Sequence, residues 1–127
     1  MIRNRISSFS LAAIVTVASC VPPAIAAKFD GNWSMVAVTT RGHCGVIPMG
    51  LGISRGRIHS TGGSFALYPI QIGGSVSANG QVRMKAVAGP RVAHGTGRFG
   101  KYAAKGSWKG RGPSGLCSGV WNASRTW

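Results

Sequence analysis

Glycine occurs so often along this chain that only short extended segments fit between the glycines. All 20 glycines lie at or after Gly31, and they follow no three-residue period, which excludes a collagen helix. The runs between them are rich in β-branched and aromatic residues, with alternating apolar and polar positions. We therefore predict an all-β fold, a small antiparallel meander of seven or eight strands that forms a barrel or a sandwich.

Turn residues separate the predicted strands at a spacing of about 12 residues. The dipeptide Asn79-Gly80 is the clearest hairpin signal. Pro48 makes the second strand an edge strand or a bulged one, because proline cannot donate a hydrogen bond to the ladder. The expected strand segments are 32–40, 45–54, 57–60, 68–77, 81–87, 91–99, 101–109 and 116–126.

Alternation within the segments assigns one side of each strand to the core and the other to solvent. Val82 and Met84 fall on the inner side of their segment, and Tyr102 and Trp108 fall on the inner side of theirs. Basic residues take the opposite phase, because a buried, unpaired lysine is too costly in a core of Val, Met and Trp. The predicted anion-binding face consists of Arg83, Lys85, Arg98, Lys101, Lys105 and Lys109.

Charge is the second strong constraint, since 15 Lys and Arg stand against a single acidic residue, Asp30, for a formal net charge of +14. One acid cannot supply paired catalytic carboxylates or a carboxylate metal cage, so we expect no enzyme activity and no cofactor. We expect an anionic envelope component as partner, either lipopolysaccharide or anionic lipid. Nucleic acid is disfavoured because few aromatic side chains point outward to stack on bases. The alternative is that the charge only keeps the protein soluble.

The first 27 residues have the organisation of a secretory signal peptide. Two arginines precede a short apolar run, and Ala24-Ile25-Ala26 supplies a small-x-small cleavage pattern. A second interpretation stays open, in which Cys20 ends a lipobox and becomes the lipidated N-terminus. After cleavage we expect a single β domain at 28–127, monomeric, with no integral membrane segment, in the periplasm or secreted.

Removal of the signal peptide leaves two cysteines, Cys44 and Cys117. A pair of cysteines in an exported chain most simply forms one disulfide. Each of the two also flanks an end strand of the predicted meander, and end strands become neighbours when a barrel closes. We therefore predict a Cys44–Cys117 disulfide.

Two patterns resemble functional sites but lack the context that those sites need. The segment Gly95-Thr96-Gly97-Arg98-Phe99-Gly100 spells a dinucleotide-binding fingerprint, yet no helix follows it and no acidic residue comes about 20 positions later. We interpret it as a glycine-rich strand and turn. No spacing typical of a metal site occurs among the three histidines, His43, His59 and His94.

A Gly-x-Trp or Gly-Trp-like pattern recurs at Trp33, Trp108 and Trp121. We interpret these tryptophans as core residues, because a nearby glycine leaves room for an indole ring to lie flat on a strand.

The chain resembles a group of small exported proteins of Gram-negative bacteria. The matching motifs are an FDGxW start at 29–33, Cys44 after the first strand, a hairpin at 73–80 and a GxWxG…CSGxW end at 106–110 and 117–121. The resemblance covers the whole mature chain and carries no catalytic motif. The short antiparallel strands are also similar to those of avidin-like and lipocalin-like barrels, a likeness of fold alone.

Together these observations favour an exported cationic β-barrel without catalytic activity that binds an anionic envelope or surface component. One alternative is a carrier that holds a small apolar ligand or haem in the mouth of the barrel. Another is a proteinaceous inhibitor or a cationic, toxin-like protein.

Overall fold

The computed structural model describes residues 27–126. Cys20 and all of the expected signal peptide except its last residue lie outside this range. A short 3-10 turn at 27–29 leads into ten strands: β1 Gly31–Arg41, β2 Val46–Ser54, β3 Arg57–Gly62, β4 Ser64–Phe65, β5 Tyr68–Pro69, β6 Gln71–Val76, β7 Gln81–Ala88, β8 Arg91–Phe99, β9 Ala103–Gly112 and β10 Gly115–Thr126. Within the described residues, no helix is long and apolar enough to cross a membrane.

Eight of the strands form a closed antiparallel barrel, which confirms the all-β prediction and decides between barrel and sandwich. The barrel strands follow one another in chain order, β1-β2-β3-β6-β7-β8-β9-β10. The last strand then returns to the first, with pairing from Asn32↔Thr126 to Arg41↔Ser118. The two remaining strands, β4 and β5, form a separate two-stranded ribbon.

The two ends of the barrel differ in what fills them. One end of the barrel is formed by residues 42–45, 63–70, 89–90 and 113–114, and we call it the upper rim. We call the opposite end the lower end. Aromatic rings fill the lower end: the ring centroid of Phe99 lies 4.7 Å from that of Trp33 and 6.1 Å from that of Phe29. The Trp33 Nε1–H donates to the Phe29 carbonyl oxygen at 3.0 Å. These contacts make an aromatic plug at the lower end.

Trp121 is fully buried at mid-barrel and lies against inward-facing glycines of β8 and β9. A Cβ at Gly97 would stand 2.7 Å from Trp121 Cζ2, and a Cβ at Gly106 would stand 2.7 Å from both Cε2 and Cζ2. The indole N–H donates to the Thr96 carbonyl oxygen at 3.1 Å. The fingerprint-like spacing of glycines in β8 thus makes space for a ring.

The predicted disulfide is confirmed. Cys44 lies in the loop between β1 and β2, Cys117 lies in β10, and their Cα atoms are 6.2 Å apart. Since β10 pairs with β1, the bond ties the loop after the first strand to the last strand of the barrel.

The segment 68–77 does not form the single strand that its pattern predicts. Strand β5 ends at Pro69, Ile70 is buried, and β6 begins at Gln71. The break turns β5 back onto β4 in the ribbon, while β6 joins the barrel wall. The bulge expected near Pro48 occurs as a register shift between Gly50 and Leu51 in the pairing of β2 with β3.

Tyr102 does not point inward as its alternation predicts, since its side chain is 57% exposed. The reason is that β9 begins only at Ala103, so Tyr102 and Lys101 belong to the turn after β8. The Lys101 Nζ lies 5.3 Å from the centroid of the Tyr102 ring.

Candidate functional site

Cations collect on the outer surface of four strands, β3, β7, β8 and β9. Strand pairing places Arg98 opposite Lys105, and it places His94 between Lys85 and Lys109. Directly opposed side chains have Cβ atoms about 4.5–5.5 Å apart, so these charges form one continuous surface. We call this surface the basic wall; its members, all exposed, are Arg57, Arg83, Lys85, Arg98, Lys105, Lys109 and Arg111.

Five of the six residues of the predicted anion-binding face lie on the basic wall, and Lys101 lies in the turn at its lower end. Val82 and Met84 are buried behind them, in the opposite phase. Trp108 also faces inward but is only partly buried. The structure therefore brings the predicted cations to one side of the barrel, and their binding of anions stays a prediction.

The rest of the barrel wall, β1, β2 and β10, carries almost no charge on its outer surface. Val38 of β1 stands between Val120 of β10 and Val46 of β2, and all three point outward. In the described part of these three strands, the one outward cation is Arg41 at the upper rim. The positive charge is thus concentrated on one half of the circumference.

The one acidic side chain has a structural role at the lower end. Asp30 accepts the Arg55 N–H at 2.8 Å on one carboxylate oxygen and the Gly56 N–H at 3.1 Å on the other. These bonds hold the β2–β3 turn, whose two residues have positive φ angles of 53° and 76°. No other side-chain carboxylate exists in the sequence, so the basic wall has no acidic partner of its own.

A shallow groove crosses the basic wall over the glycines of β6. Gly73 stands between His59 and Lys85 in the strand pairing, and a Cβ built on it would meet nothing within 4 Å. Arg83, Lys85 and His94 also line the groove. The missing side chain at Gly73 gives an incoming anionic group access to the backbone between these cations.

The upper half of the barrel interior holds an apolar cavity of about 110 Å³. Its wall includes Met35, Met49 and Met84, which are all of the methionines in the β domain. Ala37 and Ala86 complete its sides, while the lower end of the barrel is closed by the aromatic plug. The core is therefore packed at one end and hollow at the other.

Arginines stand where the cavity reaches the upper rim. The lining there includes Arg91, Arg111 and Ser114. The Arg91 guanidinium carbon lies 5.4 Å from the ring centroid of Phe65, which belongs to the ribbon and also lines the cavity. The opening thus combines an apolar interior with positive charge at its edge.

Trp108 contributes a buried donor beside the cavity. Its side chain lines the cavity, and its Nε1–H has no hydrogen-bond acceptor among residues 27–126. A buried unpaired N–H is uncommon, because such a group loses its bond to water without replacement.

Sequence reasoning missed the cavity, although a signal for it exists in the sequence. The inward residues of β1 shrink toward the upper rim, from Trp33 through Met35 to Ala37. The inward residues of β7 also end in small side chains at the upper rim, where alanines 86 and 88 follow Val82 and Met84. Small inward residues at the same end of two strands of the barrel indicate empty space there.

Among the described residues, no group of three or more His, Cys, Asp and Glu side chains is placed to hold a metal ion. No protein-family model matches the chain, and no curated protein sequence matches it.

Proposed function

We propose that this is an exported, non-catalytic β-barrel protein whose basic wall binds an anionic component of the cell envelope, lipopolysaccharide or anionic lipid. The observation that carries the proposal is the concentration of charge. Seven exposed cations share one half of the circumference, and the sequence holds no acid besides Asp30, which is engaged at the lower end. The disulfide supports export, because such bonds persist in oxidising compartments.

Charge alone supplies useful affinity for an anionic surface. Each Lys or Arg near such a surface contributes about 1 kcal/mol, and the attraction falls off within a Debye length of about 8 Å at physiological salt. A basic wall carried by neighbouring strands allows several of these contacts at once. Nucleic acid fits this surface less well, since Phe99 is buried and Phe65 is half-buried, and the exposed Tyr68 and Tyr102 lie in the ribbon and in a turn, not among the cations of the wall.

The test compares two triple variants with the same change in net charge. The wall variant is Lys85→Gln, Lys105→Gln, Lys109→Gln, and the control variant is Ser34→Glu, Val46→Glu, Thr126→Glu, none of which lies opposite a wall residue in the strand pairing. The three control positions are exposed and lie outside the basic wall, on β1, β2 and β10. Binding is measured by sedimentation with vesicles that contain phosphatidylglycerol, with phosphatidylcholine vesicles as the neutral reference.

We expect the wall variant to lose affinity on the order of 100-fold, and the control variant to lose much less. Equal losses would mean that net charge alone matters and would overturn the basic wall as the binding surface. Failure of the unmodified protein to prefer anionic vesicles would show that its charge is only solubilising.

A second candidate function is the binding of a small apolar ligand in the cavity of the upper barrel. The apolar lining and the arginines at its opening favour it. The haem-carrier alternative, which places its ligand in the mouth of the barrel, stays a prediction. The inhibitor or toxin-like alternative stays a prediction.

A further inference from the structure

We propose that the cavity takes up the alkyl end of a small amphiphilic anion, whose charged head is held at the upper rim by Arg91 and Arg111. This inference rests on the second candidate function and names its ligand class. Arg111 is also the basic-wall residue nearest the upper rim, but the inference does not depend on the wall as a surface for membranes or lipopolysaccharide.

The first argument is that the cavity is unusual for a packed core. Protein interiors are as dense as organic crystals and contain few voids larger than a water molecule. The cavity here measures about 110 Å³, close to an engineered apolar cavity of about 150 Å³ in another protein that stays dry and binds benzene. Apart from the Trp108 N–H, the interior lining consists mainly of methyl, methylene and thioether groups, which offer no hydrogen bonds to water, so a hydrocarbon group suits it.

The second argument concerns the shape of that group. Three methionines line the cavity, and methionine side chains adapt to irregular ligands because they are unbranched and flexible. Trp121 and the aromatic plug close the bottom, so a ligand enters from the upper rim. A volume of this size holds the end of one unbranched chain.

The third argument concerns the sign of the charge on the head group. Arg91, in the inward phase of β8, lines the open end of the cavity, and Arg111 near the upper end of β9 also lines it. The guanidinium group of Arg91 is held near the Phe65 ring, at the edge of the apolar lining. The only side-chain carboxylate in the sequence, Asp30, is bonded to the β2–β3 turn at the other end of the barrel. A carboxylate head is therefore attracted at the rim, and a quaternary ammonium head is repelled.

The methionines give a direct readout, because the β domain has no methionine outside the cavity lining. Protein labelled with ¹³C in the methionine methyl groups is titrated with octanoate, octan-1-ol, octyltrimethylammonium and acetate. We expect all three methyl signals to shift with octanoate and none to shift with acetate. The apparent affinity should follow the order octanoate, then octan-1-ol, then octyltrimethylammonium, with at least a 10-fold step between the first two.

Two double variants separate the contribution of the head group to binding from that of the cavity. Arg91→Gln with Arg111→Gln should weaken octanoate at least 10-fold and leave octan-1-ol unchanged. Arg57→Gln with Arg98→Gln removes the same charge at the lower end and should leave both ligands unchanged. Ala86→Leu should fill the cavity and abolish binding of both octanoate and octan-1-ol. If circular dichroism shows that this variant does not fold, Ala37→Leu makes the same test from β1.

The titrations distinguish failure of the anionic head group from failure of apolar binding in the cavity. Octan-1-ol that binds as tightly as octanoate, or rim variants that bind octanoate normally, would overturn the anionic head and leave apolar binding standing. Absence of methionine shifts with every ligand would overturn both this inference and the second candidate function. Neither result bears on vesicle binding by the basic wall.

Discussion

Trp121 shows how one large side chain determines its neighbours in a small barrel. Its ring occupies the space that inward-facing Gly97 and Gly106 leave free, and its N–H is satisfied by the Thr96 carbonyl oxygen. Neither glycine has a positive φ, so space and not backbone conformation is what they supply. Glycine thus has different roles at different positions of this chain: some glycines adopt a positive φ, while Gly97 and Gly106 leave space for a ring.

Gly106→Ala should destabilise the protein by about 3 kcal/mol, because overpacking a filled core costs about 1–3 kcal/mol or more. The added Cβ would meet the Trp121 ring carbons at 2.7 Å and the Thr96 carbonyl oxygen. Gly73→Ala is the matched control on the outer surface, where nothing lies within 4 Å, and it should be neutral or slightly stabilising. Urea denaturation measures both, and equal effects would contradict the role given to Trp121.

For single residues, the sequence predicts side-chain direction well within strands but not at their ends. The alternation in 81–87 correctly separates buried Val82 and Met84 from exposed Arg83 and Lys85, since a strand has a strict period of two. The same rule fails at Tyr102, because it has no meaning once the residue belongs to a turn. Periodicity predicts side-chain direction only between correctly placed strand ends.

At the scale of elements, the ribbon of β4 and β5 is the part that sequence patterns did not reveal. Its turn consists of Ala66 and Leu67, with φ angles of 51° and 74°. Hairpin turns of this kind are usually recognised by Asn or Gly, which adopt positive φ readily, and neither is present here. The ribbon also brings Phe65 to the cavity, so its omission hid part of the candidate site.

The disulfide joins two elements far apart in the sequence, and its loss should be costly. A separation of 73 residues corresponds to about 4 kcal/mol in the chain-entropy model, a large part of the stability of a domain this size. We expect the reduced protein, which keeps both side chains, to unfold at a much lower urea concentration than the oxidised one. Unchanged unfolding on reduction, or two titratable thiols in the unreduced chain from Lys28, would contradict this.

At the scale of the whole molecule, like charges oppose folding. The mature chain from Lys28 carries 13 Lys and Arg against Asp30, and such an excess destabilises a compact state through self-repulsion. Its Tm should therefore rise by several degrees between low salt and about 0.15 M NaCl, as the Debye length falls from about 30 Å to about 8 Å. The wall variant with three Gln residues should show a smaller rise, and a Tm independent of salt would contradict the argument.

The antiparallel all-β meander and its basic side could be predicted because both follow from local patterns, strand count and alternation. The choice between a closed barrel and a sandwich stayed open, since pairing of the first strand with the last leaves no local signature. The cavity was missed although small inward residues at the upper ends of β1 and β7 indicate it, because it forms only when strands far apart in the sequence surround one volume. The full set of lining residues therefore becomes apparent only in the three-dimensional arrangement.

The pairing of β1 with β10 also affects how this chain folds. Asn32 meets Thr126 across nearly the whole domain, a non-local contact of the kind that slows folding. Until Gly115–Thr126 is in place, both β1 and β9 keep one edge without a partner strand. A chain cut short before β10 would therefore present two open edges to other copies of itself, which makes truncated forms prone to aggregate.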